Sequence, residues 1–483
     1  MSTSKVVYKD IAPGAAAAAT VSTGSGNDFS VPAELTGDGT TAVLATCELN
    51  QWLLDGTRDI YDDQTVSFWS SEISGEGCAF EHEPTITVSF SQSYSSVGVT
   101  LMSDEPGMPS LVNITWYQGD TAKTAADFEV TETQQFCEKT VKAYDKIVLT
   151  VKKTRLPRRY ARLTGIVFGI IREFGMEELR NVQIVQEANP VNVELPSSTM
   201  TWTLDNRANV SYLFQEKQPV EAWTDNHLIG VYYINQSARS SASVYKIDCK
   251  DPIGVLDDAA FAGGVYSNKS AKELFAEIVG NDFTVDFGTV TDINLSGAIQ
   301  AATKRAALQQ VLFAWGVCAA TDGGYAIRVF DLDQTASAVS EARTYQGATV
   351  TTDALVTSVS VTAHNYVEDD NGDVEIGGKK YADTQTIYTV TNPSTTANTK
   401  ANEKKVTDAT LVSPAIGQEV AQRLYNYYAM RDKATAKIVL AGEILGDCVT
   451  VPTPWGDTTT GNIAKMEITL SNTVAATLTL AGT

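Results

Sequence analysis

The chain has 483 residues, 43% hydrophobic and 19% charged, with 58 acidic and 36 basic side chains and a formal net charge of −22. At about 100–200 residues per domain, this length predicts several domains, each able to bury its own core. Such an acidic excess repels phosphates and argues against sequence-specific nucleic-acid binding; it suits either a passage along which DNA slides or solubility alone. No run approaches the ~20 apolar residues of a membrane span. The alanines Ala15 to Ala19 are too few for a secretion-signal core.

Residues 1–40 are rich in Ala, Thr, Gly and Ser, with turn signals at Gly24-Ser25-Gly26-Asn27-Asp28 and Gly37-Asp38-Gly39. They read either as an extended arm or as edge strands. Residues 41–170 read as all-β. Thr85 to Phe90 alternates cleanly, and Val97–Leu101, Val112–Tyr117, Asp127–Val130, Lys146–Val151 and Leu163–Ile170 repeat the signal, which predicts a β-sandwich.

Residues 171–345 mix strands, at Met200–Leu204 and Ile229–Tyr233, with two helices. In the first, Ser270 and Glu273 have capping-box spacing. Ala271, Leu274, Phe275 and Ile278 form one apolar face, and Gly280 is expected to supply a left-handed stop. In the second, Lys304 to about Trp315, the face is Leu308, Val311, Leu312 and Trp315, and Gly316 ends it. A hairpin is expected to turn at Thr321 to Gly324. In residues 346–483, strands around Leu355–Ala363 lead to an expected hairpin tip at Asp369-Asp370-Asn371-Gly372-Asp373. Ser413, followed by Pro414, is expected to cap a helix carrying Val420, Ala421, Leu424, Tyr425 and Tyr428 on one face. Antiparallel strands then run to the end as a small barrel or split sheet.

Chemistry is sparse. His82, His227 and His364 lie in three separate segments, and the six cysteines form no C-x-x-C pair, so neither a zinc site nor a His-based acid–base centre is expected. Cys78 and Cys137 flank one domain and could pair, but with no sign of export, reduced thiols are favoured. There is no G-x-S-x-G elbow, P-loop or Rossmann fingerprint. Asp369, Asp370, Asn371, Asp373 and Glu375 form a dense oxygen cluster, read as a turn rather than a calcium loop because the ladder of alternate ligands is incomplete. No cofactor, catalytic residue or metal ligand is expected. Trp52, Tyr61, Trp69 and Tyr117 lie near Asp62, Asp63 and Gln118 in the first β region. Aromatic faces beside polar groups suit a carbohydrate site; a sandwich core uses the same aromatics.

Several segments occur in a telling order: Val185 to Pro190 then Glu194-Leu195-Pro196, Thr201 to Asn206, Gln215 to Glu221, Ile229 to Ile234, Asp251 to Asp257, Arg305 to Val311, and Gly446 to Gly456 with Thr460-Gly461. Together they resemble the tail hub, or tail-tip and baseplate hub-like, proteins of long-tailed phages and prophages of Gram-positive bacteria. The resemblance spans about residues 171–483. It implies β-barrel hub domains in a homotrimer around an axial channel that conducts ejected DNA. The implied partners are the distal tail protein ring, the tape-measure protein and a tail fibre or spike protein. The implied location is the virion tail tip, assembled in the host cytoplasm. Glu48 to Gly56, Phe68 to Ser71, Ser95 to Leu101 and Arg158 to Leu163 resemble a discoidin-like, galactose-binding-type jelly roll. Modules of that kind often bind cell-surface glycans, which implies a host cell-wall glycan as a further partner.

The expected fold is therefore mainly β with a few short helices: β-barrel hub domains plus a jelly-roll β-sandwich. The domains are 1–40, an arm or hub edge strands; 41–170, a jelly roll; 171–345, a hub barrel with an α+β part; and 346–483, a C-terminal hub barrel or sheet. The function expected is a non-enzymatic structural tail hub. The alternative is a host-glycan-binding adhesin or receptor-binding tail protein. A third reading, a glycan-degrading tail enzyme, requires a carboxylate pair built from distant segments.

Overall fold

A computed structural model describes the chain apart from residues 1–3, 13, 38–40, 47, 49–60, 66, 206–213, 226, 322, 397, 472–473 and 483 and the side chains of 41–45 and 61–65. The protein is mainly β, 53% strand and 12% helix. It divides into two compact units, residues 8–172 and residues 1–7 with 173–483.

In the unit 8–172, Thr85–Met102 is a single 18-residue strand where the alternation predicts two. Its buried apolar side chains fall at even positions (Ile86, Val88, Phe90, Tyr94) and then at odd ones (Val99, Leu101). The register against Gln134–Thr154 shifts at three points between Ser89 and Gly98, and over that stretch the buried apolar face passes from even to odd positions. The sheet continues through Pro109–Gln118 to Thr121–Glu129; Gly165–Val167 and Ala19–Ser22 also pair with Thr85–Met102. Phe68 and Leu163, from the short ladder of Phe68–Ile73 with Tyr160–Leu163, pack into one core with Ile86, Ile114, Trp116 and Leu149.

In the other unit, neighbouring strands run in the order Pro219–Thr224, His227–Arg239, Val244–Lys250, Thr199–Asp205, Leu179–Glu187, Thr458–Leu470, Ala475–Ala481, Asp432–Val439 and Thr349–Thr352. Leu179–Glu187 and Thr458–Leu470 pair over six residues, so the expected boundary at 345/346 falls inside this unit. Five α-helices occur among the described residues: α1 Ala15–Ala18, α2 Pro252–Val255, α3 Ala271–Val279, α4 Lys304–Trp315 and α5 Gly417–Ala429. α3, α4 and α5 share one apolar core, in which Phe275, Leu312 and Leu424 meet Val359 and Val361 of the strand Ser358–Glu368.

The helix ends depart from expectation in instructive ways. Ser270 Oγ accepts from Glu273 N at 3.1 Å, but Glu273 turns to Lys269 at 3.3 Å instead of completing the box. Asp292 takes part of its place, accepting from Lys272 N and Ser270 Oγ. Gly280 has φ 65° and ψ −136°, a positive φ but not a left-handed helical residue. Gly316, at φ 91° and ψ 20°, is the left-handed stop expected of it. Ser413 does not cap α5: the helix starts at Gly417 after Ile416, with no side-chain cap. Tyr388 is the reason, since its hydroxyl donates to Pro414 O at 2.8 Å and its ring lies where a Cβ on Gly417 would stand, holding a separate turn before the helix. The acidic segment does turn, with Gly372 N bonded to Asp369 O, but the hairpin reverses later, at Gly377-Gly378 between Val374–Ile376 and Lys379–Thr391.

Candidate functional site

The strand Phe68–Ile73 places Trp69 in the core of its unit at 2% exposure. The Arg162 guanidinium lies 3.7 Å from its ring centroid, Phe29 meets it edge-on at 5.3 Å, and Tyr160 is 6.1 Å away. A sugar would have to displace these neighbours to stack on it. Tyr117 is half-buried near the end of Pro109–Gln118, with Lys146 Nζ 4.8 Å from its ring centroid, and the adjacent Gln118 Oε1 accepts from Lys123 Nζ at 3.1 Å. Tyr61, Asp62 and Asp63 sit on a strand whose backbone pairs with Ala45, Leu44 and Val43. Trp52 lies outside the described residues.

The polar centre of this unit is one that site reasoning passed over. Glu48 and Arg162 are both buried and joined by a hydrogen bond from Arg162 Nη2 to Glu48 Oε2. Arg162 Nη1 reaches Asp104 Oδ2 at 3.1 Å. Glu48 Oε1 accepts from Tyr160 N at 2.9 Å, and Thr46 Oγ1 donates to Oε2 at 2.6 Å. Gly107 completes the fit: a Cβ there would fall 2.2 Å from Arg162 Cγ, and its carbonyl accepts from Arg162 N. A buried guanidinium shared between two carboxylates and an indole face fixes three chain segments in one geometry. The sequence signal was a lone arginine between Ala161 and Leu163, both core side chains, in a strand with no other reason to bury charge.

The second unit buries its own polar centre. Asp251, at the end of Val244–Lys250, caps α2 by accepting from Gly254 N at 2.7 Å. Ser197 Oγ donates to the same oxygen at 2.9 Å and Thr321 Oγ1 to the other at 2.7 Å. Burial raises its carboxyl above the ordinary aspartate value, against the lowering effect of these donors. Gln186 is also buried and donates to Ile229 O and Tyr232 Oη, both at 3.2 Å, beside a cavity of about 500 Å³ lined by Leu440, Met466 and Ile468. These bonds all run to the protein's own framework.

The five described cysteines are free. Burial pushes the Cys137, Cys249 and Cys318 thiols up to about 12, which keeps them in the unreactive thiol form. His82 is exposed and 2.7 Å from Glu72, whereas His364 is buried between Asp383 Oδ2 at 2.8 Å and Thr407 O at 3.1 Å. Among the described residues, no three His, Cys, Asp or Glu side chains are grouped so as to hold a metal ion. No described helix is long and apolar enough to cross a membrane.

No protein-family model and no curated protein matches the sequence. Solved structures to which the chain is similar include a tail protein from Neisseria meningitidis, at 13% identity over 64% of this chain and 93% of that one, TM-score 0.48. A prophage tail protein from Shewanella oneidensis is similar at 11% identity over 64% and 95%, TM-score 0.44. A prophage tail protein from Listeria monocytogenes is similar at 12% identity over 64% and 92%, TM-score 0.41.

Proposed function

We propose that this chain is a structural protein of a phage tail, acting as the tail-tip hub: a homotrimer around the central channel that links the tail tube to a fibre or spike. The observation that carries the reading is where the hub-like segments lie. Val185 to Pro190, Thr201 to Asp205, Pro219 to Glu221 and Ile229 to Ile234 fall on or beside strands that neighbour one another in one sheet. Gly446 to Gly456, some 200 residues further on (roughly two average domain lengths), joins the same sheet through Cys448–Pro452. Five of the seven segments that carry the resemblance thus join one sheet, while Asp251 to Asp257 and Arg305 to Val311 fall at α2 and α4. The acidic excess suits a channel wall from which DNA is repelled. Light scattering on the purified chain tests the reading: it predicts a particle of three times the 51.9 kDa chain mass. A stable monomer that never enters tails would contradict it.

Within this proposal, glycan binding by the unit 8–172 is assigned to Tyr61, Asp62, Asp63, Tyr117 and Gln118; Trp69, packed under Arg162, is left out. A glycan array probed with the wild-type chain and with Tyr117→Ala tests it. Equal signals would remove Tyr117 from the site.

A further inference from the structure

Helix α5 carries an unusual exposed face. Gln418, Gln422 and Asn426 stand at i, i+4 and i+8, all exposed, and the next position in the series is Met430, 47% exposed. All four line an open cleft of about 1070 Å³, whose lining also includes Val191 and Leu332. An ordinary solvent face uses charged residues at such positions; here three successive ones carry neutral carboxamides. Gln422 Nε2 donates to Asn426 Oδ1 at 2.8 Å, which holds the two amides in line. Gln418 makes no side-chain hydrogen bond with a described residue.

The spacing matches an extended polypeptide. Four residues of helix rise about 6.0 Å, and two residues of an extended chain span about 6.6 Å. Over three carboxamides the mismatch grows only to about 1 Å, within the reach of a glutamine side chain. Each carboxamide offers a donor and an acceptor, the complement of a peptide unit. The charge of the cleft selects further. Asp331 and Glu419 line it, and neither forms an ion pair with a described residue. Arg423, the basic side chain among the described lining residues, seats its guanidinium over Gly316 and donates to Phe313 O. The cleft thus presents two carboxylates against one guanidinium, which donates to a backbone carbonyl.

We propose that this cleft is a docking site for an extended, basic peptide segment of a partner protein. Its backbone would pair with Gln418, Gln422 and Asn426, its basic side chains would approach Asp331 and Glu419, and an apolar side chain would cover Met430. The inference does not depend on the hub reading, since it rests on helix spacing and charge alone.

The test uses the full chain and a fluorescein-labelled peptide of alternating lysine and threonine, followed by fluorescence anisotropy. Three neutral hydrogen bonds at about 0.5–1.5 kcal/mol each predict binding at least about tenfold weaker in the triple variant Gln418→Ala/Gln422→Ala/Asn426→Ala. The pair Asp331→Asn/Glu419→Gln should also weaken it and reduce its salt dependence. The same peptide N-methylated at alternate amides should not bind. All these substitutions are on the surface, and an unchanged melting temperature confirms that the variants fold. The proposal is overturned if the peptide fails to bind, binds the triple variant equally, or binds equally when N-methylated. It is also overturned by self-association, or binding to an oligosaccharide array, that the triple variant abolishes, since a second copy or a glycan would then own the cleft.

Discussion

Asp251 shows how much one buried side chain organises. It accepts from Gly254 N, Ser197 Oγ and Thr321 Oγ1, and so ties the start of α2 to two distant segments. Asp251→Ala removes the cap and leaves buried donors unpaired, which should cost roughly 2–4 kcal/mol in denaturant titrations. Asp251→Asn keeps a capping oxygen, and the Thr321 hydroxyl can reverse, so the cost should stay within about 1 kcal/mol. The two proteins should differ in pH dependence. Because burial raises the native pKa above 3.8, the native state holds that proton more tightly than the unfolded chain. The resulting stability is fully present below the unfolded value and is lost as pH rises through the native one. Wild-type stability relative to Asp251→Asn should therefore fall as pH increases above 3.8; a constant difference would refute the assignment. Arg162 tests a different balance. Arg162→Ala strands Glu48 and Asp104 without their cation, and should cost about 3–5 kcal/mol in the stability of the unit 8–172. Sequence showed the residues of both centres but not their partners, which come from segments dozens of positions away.

At the scale of elements, local chemistry was legible where it acts locally. α4 runs from Lys304 to Trp315 and ends on a left-handed Gly316, as its spacing predicts. α3 occupies the expected residues, with Ala271, Leu274, Phe275 and Ile278 all buried. Phe275 has no exposed surface and meets Phe287 edge-on at 5.8 Å, so Phe275→Ala should cost about 3–5 kcal/mol. An unchanged unfolding midpoint would show that α3 does not pack by this face. Three of the misreadings share one cause, a distant residue overriding a local signal. Tyr388 displaces the start of α5 from Ser413. Register shifts against Gln134–Thr154 join two apparent strands into Thr85–Met102. Tyr381 crowds Gly372 so closely that a Cβ there would touch its backbone, while Gly377-Gly378 makes the reversal.

Over the whole molecule, mainly-β character was legible because the alternation recurs along most of the chain. The pairing of Leu179–Glu187 with Thr458–Leu470 was not, since no local pattern announces a partner so far along the chain. That ladder places residues read as two hub domains in one unit. Each unit has its own core, so calorimetry should resolve two transitions, with Arg162→Ala lowering one and Phe275→Ala the other. A single transition shifted by both would show that the units unfold together. The candidate carbohydrate residues were legible as residue types only; burial of Trp69 under Arg162 depends on a contact between positions far apart in sequence. Electron microscopy of tails assembled with a tagged copy of this chain decides whether it is a hub at the tail tip. A hub places tag density in threefold symmetry around the axis at the distal end of the tube; tag absent from the tip, or present there without threefold order, means that the chain is not the hub.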